Sequence, residues 1–365
     1  MNACIITFQS AYNYGAVLQA YALQEYLNKN FAETRILDYH NREIDASYQS
    51  PHLRDFISNP KNAVFKTIQG VLYKGKKRKI DDFRNCYLRL TDRYDATNIL
   101  EAKSEADVFI TGSDQVWNYL IVNRDGTYYL DFANDKRTCS YAASFGIASI
   151  PTAYQDFYRS HLNDIDYISV REDAGAEIIK DLIDRNAQVM PDPTLLVNLE
   201  EWDKLSIAPD IKSKYILAYK ITKADKLLEF SRMLSKKTKL PIVYIPNDLK
   251  SGSVGKLKTN VGPEEWLGYI KNAEYVVTNS FHGTVFSILF NKKFFSEVSN
   301  KVNPSTSRLK SLLEMFALEN RTIDRYTDEM LKVELDANEI KDILAEKRKS
   351  AYEYFEKIFL VGENE

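Results

Sequence analysis

Cysteine is scarce in this 365-residue chain, and long apolar runs are missing from it. Cys4, Cys86 and Cys139 lie far apart and form no C-x-x-C pair. Such a set excludes a disulfide framework and a cysteine-based zinc site, and it is typical of a reducing compartment. The longest apolar stretches, such as residues 285–290, are too short to cross a bilayer, and residues 1–8 lack the features of a secretory signal. We therefore expect a soluble, cytoplasmic protein without a metal.

The chain also has no excess of one charge and no glycine-rich phosphate loop. Its 49 basic and 51 acidic side chains give a formal charge of −2, which argues against nucleic acid as a partner. The motif G-x-G-x-x-G does not follow the first predicted strand, so the dinucleotide fingerprint is absent. One basic run, KGKKRK at residues 74–79, is interpreted as a solvated loop. The alternative is a patch for phosphates or for the anionic inner face of a membrane.

Short β-branched runs alternate with longer amphipathic segments, a rhythm that predicts βαβ units and mainly parallel sheets. The rhythm stops at a Pro-Asp-Pro-Thr sequence and a polar stretch over residues 195–214, and then restarts. We therefore predict one α/β domain over residues 1–200, with a helical insertion near 50–90, and a second over 201–330. A C-terminal helix within 331–365 is expected to pack back across the junction.

The first loop of interest holds Asn13, Tyr14 and Gly15, between a predicted strand and a predicted helix. Open α/β sheets bind their ligands at such positions, just past the carboxyl end of a strand. The simpler interpretation is a turn in which Asn13 caps the helix. A ligand contact is the alternative.

The second loop covers residues 111–118. Gly112 permits a tight turn, and Ser113 or Asp114 can cap a helix that begins there. Asp114 near a helix start should stay ionised, which suits accepting hydrogen bonds or protons from sugar hydroxyls. Plain capping is the alternative, but the Asp, Gln, Trp and Asn side chains of this loop favour a carbohydrate-binding surface over a core.

The third loop, at residues 279–284, opens a helix after another predicted strand. Its free N–H groups form an anion site, to which Ser280 and Thr284 add hydroxyls. His282 at its mouth could bind phosphate or deliver a proton, although a lone histidine is more often structural. Arg171 ends a further strand and suits a carboxylate or phosphate ligand, with an ion pair to one of the two acids that follow it as the alternative.

Seven short motifs occur in one order along the chain. They are NYGAVLQ at 13–19, TGSDQVWN at 111–118, SYAASFG at 140–146, SVRE at 169–172, DPT at 192–194, TNSFHG at 278–283 and SRL at 307–309. Each motif alone is weak, but the ordered set strongly resembles the polysaccharide pyruvyl transferase family from about residue 5 to 317. The resemblance implies a GT-B-like pair of Rossmann-type domains with the active site in the cleft between them.

The same resemblance implies phosphoenolpyruvate as co-substrate, with no further cofactor, and a glycan or lipid-linked oligosaccharide acceptor of capsule or exopolysaccharide synthesis. Transfer would convert a pair of acceptor hydroxyls into a pyruvate ketal. The expected catalytic residues are His282 and Asp114. The expected donor-binding residues are Arg171, Ser280, His282, Gly283, Thr284 and Arg308, and the expected acceptor-binding residues are Asn13, Tyr14, Gly15, Asp114 and Gln115.

One position departs from the family pattern. Well-described members carry an arginine two residues before the histidine, where this chain has Ser280. Either Arg308 or a lysine replaces that cation, or the donor has changed. Two alternatives therefore stay open: a GT-B glycosyltransferase that uses a nucleotide sugar, and a non-catalytic glycan-binding relative.

Overall fold

The computed structural model describes residues 1–48, 60–247, 252–298 and 306–360. Its two main sheets have five parallel strands each, in the orders β3-β2-β1-β4-β5 and β10-β9-β8-β11-β12. The strands are β1 Asn2–Ile6, β2 Glu33–Tyr39, β3 Leu90–Tyr94, β4 Val108–Thr111, β5 Arg137–Ser140, β6 Ser169–Val170, β7 Gln188–Val189, β8 Ile216–Lys220, β9 Ile242–Pro246, β10 Lys256–Leu257, β11 Tyr275–Thr278 and β12 Lys293–Ser296. The predicted α/β fold with mainly parallel sheets is confirmed.

Helices connect most of these strands. The α-helices are α1 Tyr14–Asn30, α2 Arg42–Tyr48, α3 Pro60–Leu72, α4 Lys74–Tyr87, α5 Tyr119–Val122, α6 Thr152–Asn163, α7 Asp173–Ile183, α8 Leu199–Leu205, α9 Asp225–Thr238, α10 Pro263–Lys271, α11 Phe281–Leu289, α12 Thr306–Met315 and α13 Ala337–Phe359. Short 3-10 helices lie at Ile99–Glu105, Gly126–Tyr129, Asp131–Ala133, Pro193–Leu195, Glu319–Arg321, Ile323–Arg325 and Asp328–Leu331. None of the helices in the described residues is both long and apolar enough to span a membrane.

The central strands are buried on both faces. Every residue of β4 and of β11 is buried, which is the pattern of a parallel strand covered by helices on both sides. The small strands β6 and β7 pair with each other, and a bridge between Ala143 and Val170 joins β6 to the segment that follows β5. The residues after β6 and β7 thereby reach the carboxyl edge of the first sheet.

Helices α1 and α4 pack against the second sheet's helix α10. Ile80 and Phe83 of α4 share a buried cluster with Trp266 and Leu267 of α10, and Tyr14 of α1 stacks on Trp266. Helices α3 and α4 lie within the range of the predicted helical insertion near 50–90, the first part of which, up to residue 59, lies outside the described part of the chain.

The basic run at residues 74–79 is not a solvated loop, so that interpretation is wrong. It forms the first turns of α4 and faces the second sheet. Lys76 is buried, and Lys79 pairs with Glu265 of α10 at 2.6 Å. Apolar residues at 80 and 83 turn this side of the helix inward, and the lysines on the same side go with them.

The last helix, α13, touches both halves of the chain. Tyr354 and Phe355 lie in one buried cluster with Ile5 and Val108 of the first sheet, and the Tyr354 hydroxyl donates to the Ser140 carbonyl at 2.8 Å. The N-terminal end of α13 contributes apolar side chains to the cluster around the second sheet. The exact limits of the two domains stay a prediction.

Candidate active site

Five titratable side chains from separate segments converge where the carboxyl ends of strands from both sheets meet. They are Asp114 after β4, Arg171 after β6, Asp192 after β7, His282 in the first turn of α11 and Arg308 in α12. Four of these side chains are buried, and Asp114 is partly exposed. The structure thus brings together four residues that the sequence singled out, and it adds Asp192.

Arg171 is bound by two aspartates. Its Nη1 donates to Oδ2 of Asp192 at 2.7 Å, and its Nη2 donates to Oδ1 of Asp114 at 3.3 Å. The guanidinium also lies 4.6 Å from the ring centre of Phe281. An ion pair with the following acid is not formed, because Glu172 instead accepts from the Ser144 hydroxyl and nearby backbone N–H groups.

His282 lies between Asp192 and the start of α1. Its Nε2 is 3.4 Å from Oδ2 of Asp192. On its other side the ring rests against Gly15, where an added Cβ would come within 2.0 Å of Nδ1. Gly15 therefore serves the site through the absence of a side chain, because any larger residue would displace the imidazole.

Charges in the cluster keep both aspartates ionised. Burial alone would raise the pKa of Asp192, but His282 and Arg171 lower it far below its usual range. Burial also acts to raise the pKa of Asp114, but the charges of Arg171, His282 and Arg308 lower it. Burial and then the neighbouring Arg171 lower the pKa of Arg308 to about 10. An anion beside Arg308 would relieve that repulsion.

Several buried polar atoms of the cluster have no hydrogen-bond partner among the described residues. They are Nε of Arg171, Nε of Arg308, Oε2 of Glu172 and Nε2 of His282, whose single contact in the cluster is the 3.4 Å approach to Asp192. Buried polar groups are rarely left unpaired, because each costs roughly 1–3 kcal/mol. Three of the four are nitrogens of basic side chains. This composition favours an anionic ligand.

The first loop contributes differently from the prediction. The Asn13 side chain caps α1 by accepting from the Gly15 N–H at 2.9 Å. This is the capping turn that the simpler interpretation of the loop predicts. The Tyr14 side chain points away from the cluster: it is buried, and its hydroxyl donates to the Val261 carbonyl at 2.9 Å. Tyr14 is therefore a packing residue in this structure and does not offer its hydroxyl to an acceptor.

The second loop is only partly a ligand surface. Helix α5 begins at Tyr119 and is capped by Asn118, so capping by Ser113 or Asp114 is wrong. The ring of Trp117 is fully buried, which corrects its assignment to a carbohydrate surface. Asp114 and Gln115 remain partly exposed. Asp114 pairs with Arg171, whereas the Gln115 amide oxygen accepts from Asn118 at 2.9 Å.

The polar residues at the start of α11 are used within the protein. The Ser280 hydroxyl caps the helix by accepting from the Gly283 N–H at 3.1 Å. The Thr284 hydroxyl bonds the Ser280 carbonyl and the Ser296 hydroxyl. A Cβ on Gly283 would lie 2.7 Å from Oγ1 of Thr278, so this glycine allows close packing. Donor contacts from the Ser280 and Thr284 hydroxyls therefore have no support in this geometry.

Asp192 is the residue that sequence reasoning missed. The sequence places it in a Pro-Asp-Pro-Thr turn and in the DPT motif of the family resemblance, without a role in the site, yet it bonds Arg171, faces His282 and accepts from the Thr194 hydroxyl at 2.7 Å. The available signal was its place in one of the seven ordered motifs. An aspartate between two prolines reads equally well as a turn residue.

Comparisons with solved structures define the class of fold. A UDP-N-acetylglucosamine 2-epimerase from Listeria monocytogenes has a TM-score of 0.50 at 8% identity, covering 100% of this chain and 98% of that one. The MnaA–UDP structure from S. aureus scores 0.47 at 9% identity, covering 96% of both chains. The wall teichoic acid polymerase TagF scores 0.45 at 11% identity, covering 100% and 90%. At 8% identity the likeness to the Listeria monocytogenes structure shows the fold alone, which is GT-B-like α/β.

The family follows from the sequence itself. The family model described as polysaccharide pyruvyl transferase matches residues 13–297, so the chain belongs to that family and is a transferase. A comparison with curated proteins found no match. The matched range includes Asp114, Arg171, Asp192 and His282.

Proposed function

We propose that this transferase moves pyruvate from phosphoenolpyruvate to two hydroxyls of a cell-surface glycan precursor and forms a ketal. The observation that carries the proposal is the buried cluster of Arg171, His282 and Arg308 around two aspartates, in which Nε of both arginines has no hydrogen-bond partner among the described residues. Family membership supplies the reaction type, and the cluster supplies groups suited to it.

The donor is an anion with a carboxylate and a phosphate, and guanidinium groups bind both in bidentate fashion. Arg308 is the better candidate for a direct contact, because its contact with Asp114 is 3.8 Å long. Arg171 is more firmly held and lies at the base of the cluster. Family members have an arginine at the position of Ser280, which caps a helix in this chain. Arg308 thus supplies the cation that this position does not.

The reaction begins with protonation of the donor's methylene carbon, for which His282 is the proposed acid. Carbon 2 then becomes oxocarbenium-like and is attacked by one acceptor hydroxyl, whose proton passes to a base. Asp114 is the partly exposed carboxylate of the cluster and is proposed as that base. The oxygen of the second hydroxyl then forms the second bond of the ketal to carbon 2, the bond between carbon 2 and the phosphate oxygen breaks, and the phosphate carries away the proton of that hydroxyl.

Phosphate release from phosphoenolpyruvate, measured with a panel of lipid-linked glycans, tests the reaction, and mass spectrometry detects the pyruvyl product. His282→Ala should lower turnover on the order of a hundredfold or more, the usual effect of losing a general acid. His282→Asn should retain more donor affinity with the same loss of turnover.

A matched control is His161→Ala, because His161 packs on Phe157 away from the cluster and should be dispensable for turnover. Turnover of His282→Ala near the parent rate would refute the acid role. Binding of UDP, GDP or CMP sugars without phosphoenolpyruvate binding would favour a glycosyltransferase. Glycan binding without any turnover would favour a non-catalytic relative.

A further inference from the structure

An exposed apolar stripe runs along helix α3. It comprises four side chains that helical spacing places on one face, Val64, Ile68, Val71 and Leu72, which are 50%, 53%, 71% and 40% exposed. Gln69, on the other side of the helix from Val71, is half-buried. A surface helix of a globular protein normally packs its apolar stripe against the core. In α3 the stripe is turned outward, which is typical of a surface that binds something outside the fold.

The chain around this stripe carries positive charge only. Residues 60–80 hold seven basic side chains and no acidic one. Lys76 and Lys79 of α4 face the second sheet, but Lys74 and Arg78 lie on the other side of that helix and are exposed. Because α4 begins with Lys74, two residues after the end of α3, these exposed cations adjoin the apolar stripe. Exposed apolar side chains beside exposed cations are the composition of a helix that lies on an anionic lipid surface.

The elbow between α3 and α4 is attached to the second sheet. Tyr73, which lies between the two helices, is buried, and its hydroxyl donates to the Pro246 carbonyl at 3.1 Å. Pro246 ends β9. Since β9, β8 and β11 are parallel members of one sheet, this is also the edge at which β11 leads into α11 and His282. Helix α3 is thereby anchored at the edge of the second sheet that contributes to the candidate site.

We propose that α3 is a membrane-contact helix, whose apolar stripe enters the headgroup region of an anionic bilayer while Lys74 and Arg78 pair with lipid phosphates. The basic run then serves the anionic membrane face that its sequence left open as an alternative, and α3 supplies the apolar part of the contact. A second copy of this chain suits the face less well, because a symmetric contact would bring the same cations together. The surface itself is independent of the reaction, whereas its use in reaching a lipid-linked acceptor rests on the proposed function.

Co-sedimentation of the full-length protein with lipid vesicles tests the surface. One set of vesicles is phosphatidylcholine alone, and the other contains phosphatidylcholine and phosphatidylglycerol in equal amounts. The parent should bind the mixed vesicles about tenfold or more tightly than the neutral ones, and added salt should weaken this binding by screening the charges. Absence of binding to the mixed vesicles, or equal binding to both compositions, would overturn the proposal.

The apolar part of the contact is tested with the double variant Ile68→Ser and Val71→Ser. Its binding to the mixed vesicles should be weaker by about tenfold or more, because two apolar side chains no longer leave water. The matched control is Leu100→Ser with Val333→Ser, which changes two side chains that are 73% and 54% exposed elsewhere on the surface. This control should alter binding less than about twofold. Equal effects of the two double variants would refute the role of α3.

The charged part is tested with Lys74→Gln combined with Arg78→Gln. This pair should weaken binding to the mixed vesicles about tenfold or more and leave binding to the neutral vesicles unchanged. Lys236→Gln combined with Lys239→Gln removes the same charge from exposed positions at the end of α9. An equal loss of binding with both pairs would show that net charge, rather than this surface, determines membrane binding, and would overturn the proposal.

Two further measurements separate another occupant and the reaction from the membrane contact. Sedimentation velocity without lipid should give the same oligomeric state for the parent and for Ile68→Ser with Val71→Ser. A dimer formed by the parent alone would assign the stripe to a second copy and refute the membrane contact. Vesicle binding by a parent that releases no phosphate from phosphoenolpyruvate would support the surface and refute pyruvyl transfer. Turnover with a soluble glycan and no vesicle binding would do the reverse.

Discussion

Replacing Gly15 with alanine should disable the candidate site while leaving the fold nearly intact. The new Cβ would lie 2.0 Å from Nδ1, 2.5 Å from Cγ and 2.7 Å from Cε1 of His282. Since contacting atoms prefer separations of about 3.5 Å, the ring must retreat by roughly 1.5 Å. A misplacement of about 1 Å in a reacting group can lower turnover a hundredfold, and we expect a loss of at least that size.

The effect on stability should be small, because two contributions oppose each other. Overpacking costs about 1–3 kcal/mol, and alanine in place of glycine in a helix restores up to about 1 kcal/mol. Phosphate release and denaturant unfolding of Gly15→Ala measure both quantities. Gly70→Ala is the control, because an added Cβ there meets nothing within 4 Å. If Gly15→Ala turned over at the parent rate, the contact between Gly15 and His282 would not set the position of the imidazole.

Two further predictions concern stability. Asp192→Asn should lower the free energy of unfolding by about 3 kcal/mol, because the buried Arg171 loses one of its two counter-charges. Urea denaturation measures this free energy, and an unchanged value would contradict the ion pair between Arg171 and Asp192. The Asp38 hydrogen bond, together with Asp45, raises the pKa of His40 above 6.5 despite its burial. The contribution of protonated His40 to the free energy of unfolding is therefore complete below pH 6.5, and it disappears as the pH rises through the raised pKa of His40. His40→Gln should destabilise the protein most at acidic pH, and a pH-independent difference between variant and parent would refute the linkage.

The regular parts of the fold could be predicted because burial is continuous there. Strands such as β4 and β11 are short, apolar and bounded by turns, so their position is readable from sequence alone. Strand β3 carries no such signal: three of the five residues in its sequence LTDRY are polar, and only Tyr94 is buried, because the strand lies at the sheet edge. An edge strand receives little of its stabilisation from a hydrophobic pattern.

Within the site, strand ends located Asp114, Arg171 and His282, because the carboxyl edge of a parallel sheet brings loops together. Side-chain direction could not be predicted in the same way. Tyr14 turns away because its hydroxyl bonds the carbonyl of Val261, a residue 247 positions later in the chain. Contacts of that sequence separation leave no local pattern.

The course of α13 has a consequence for the order in which the protein can fold during synthesis. One face of the first sheet, which includes Ile5 and Val108, is buried together with Tyr354 and Phe355. These side chains leave the ribosome only after the whole second sheet has been made. Leu23 and Leu27 of α1 belong to the same cluster and can cover part of this face early, but the part that packs on Tyr354 and Phe355 stays open until those residues arrive.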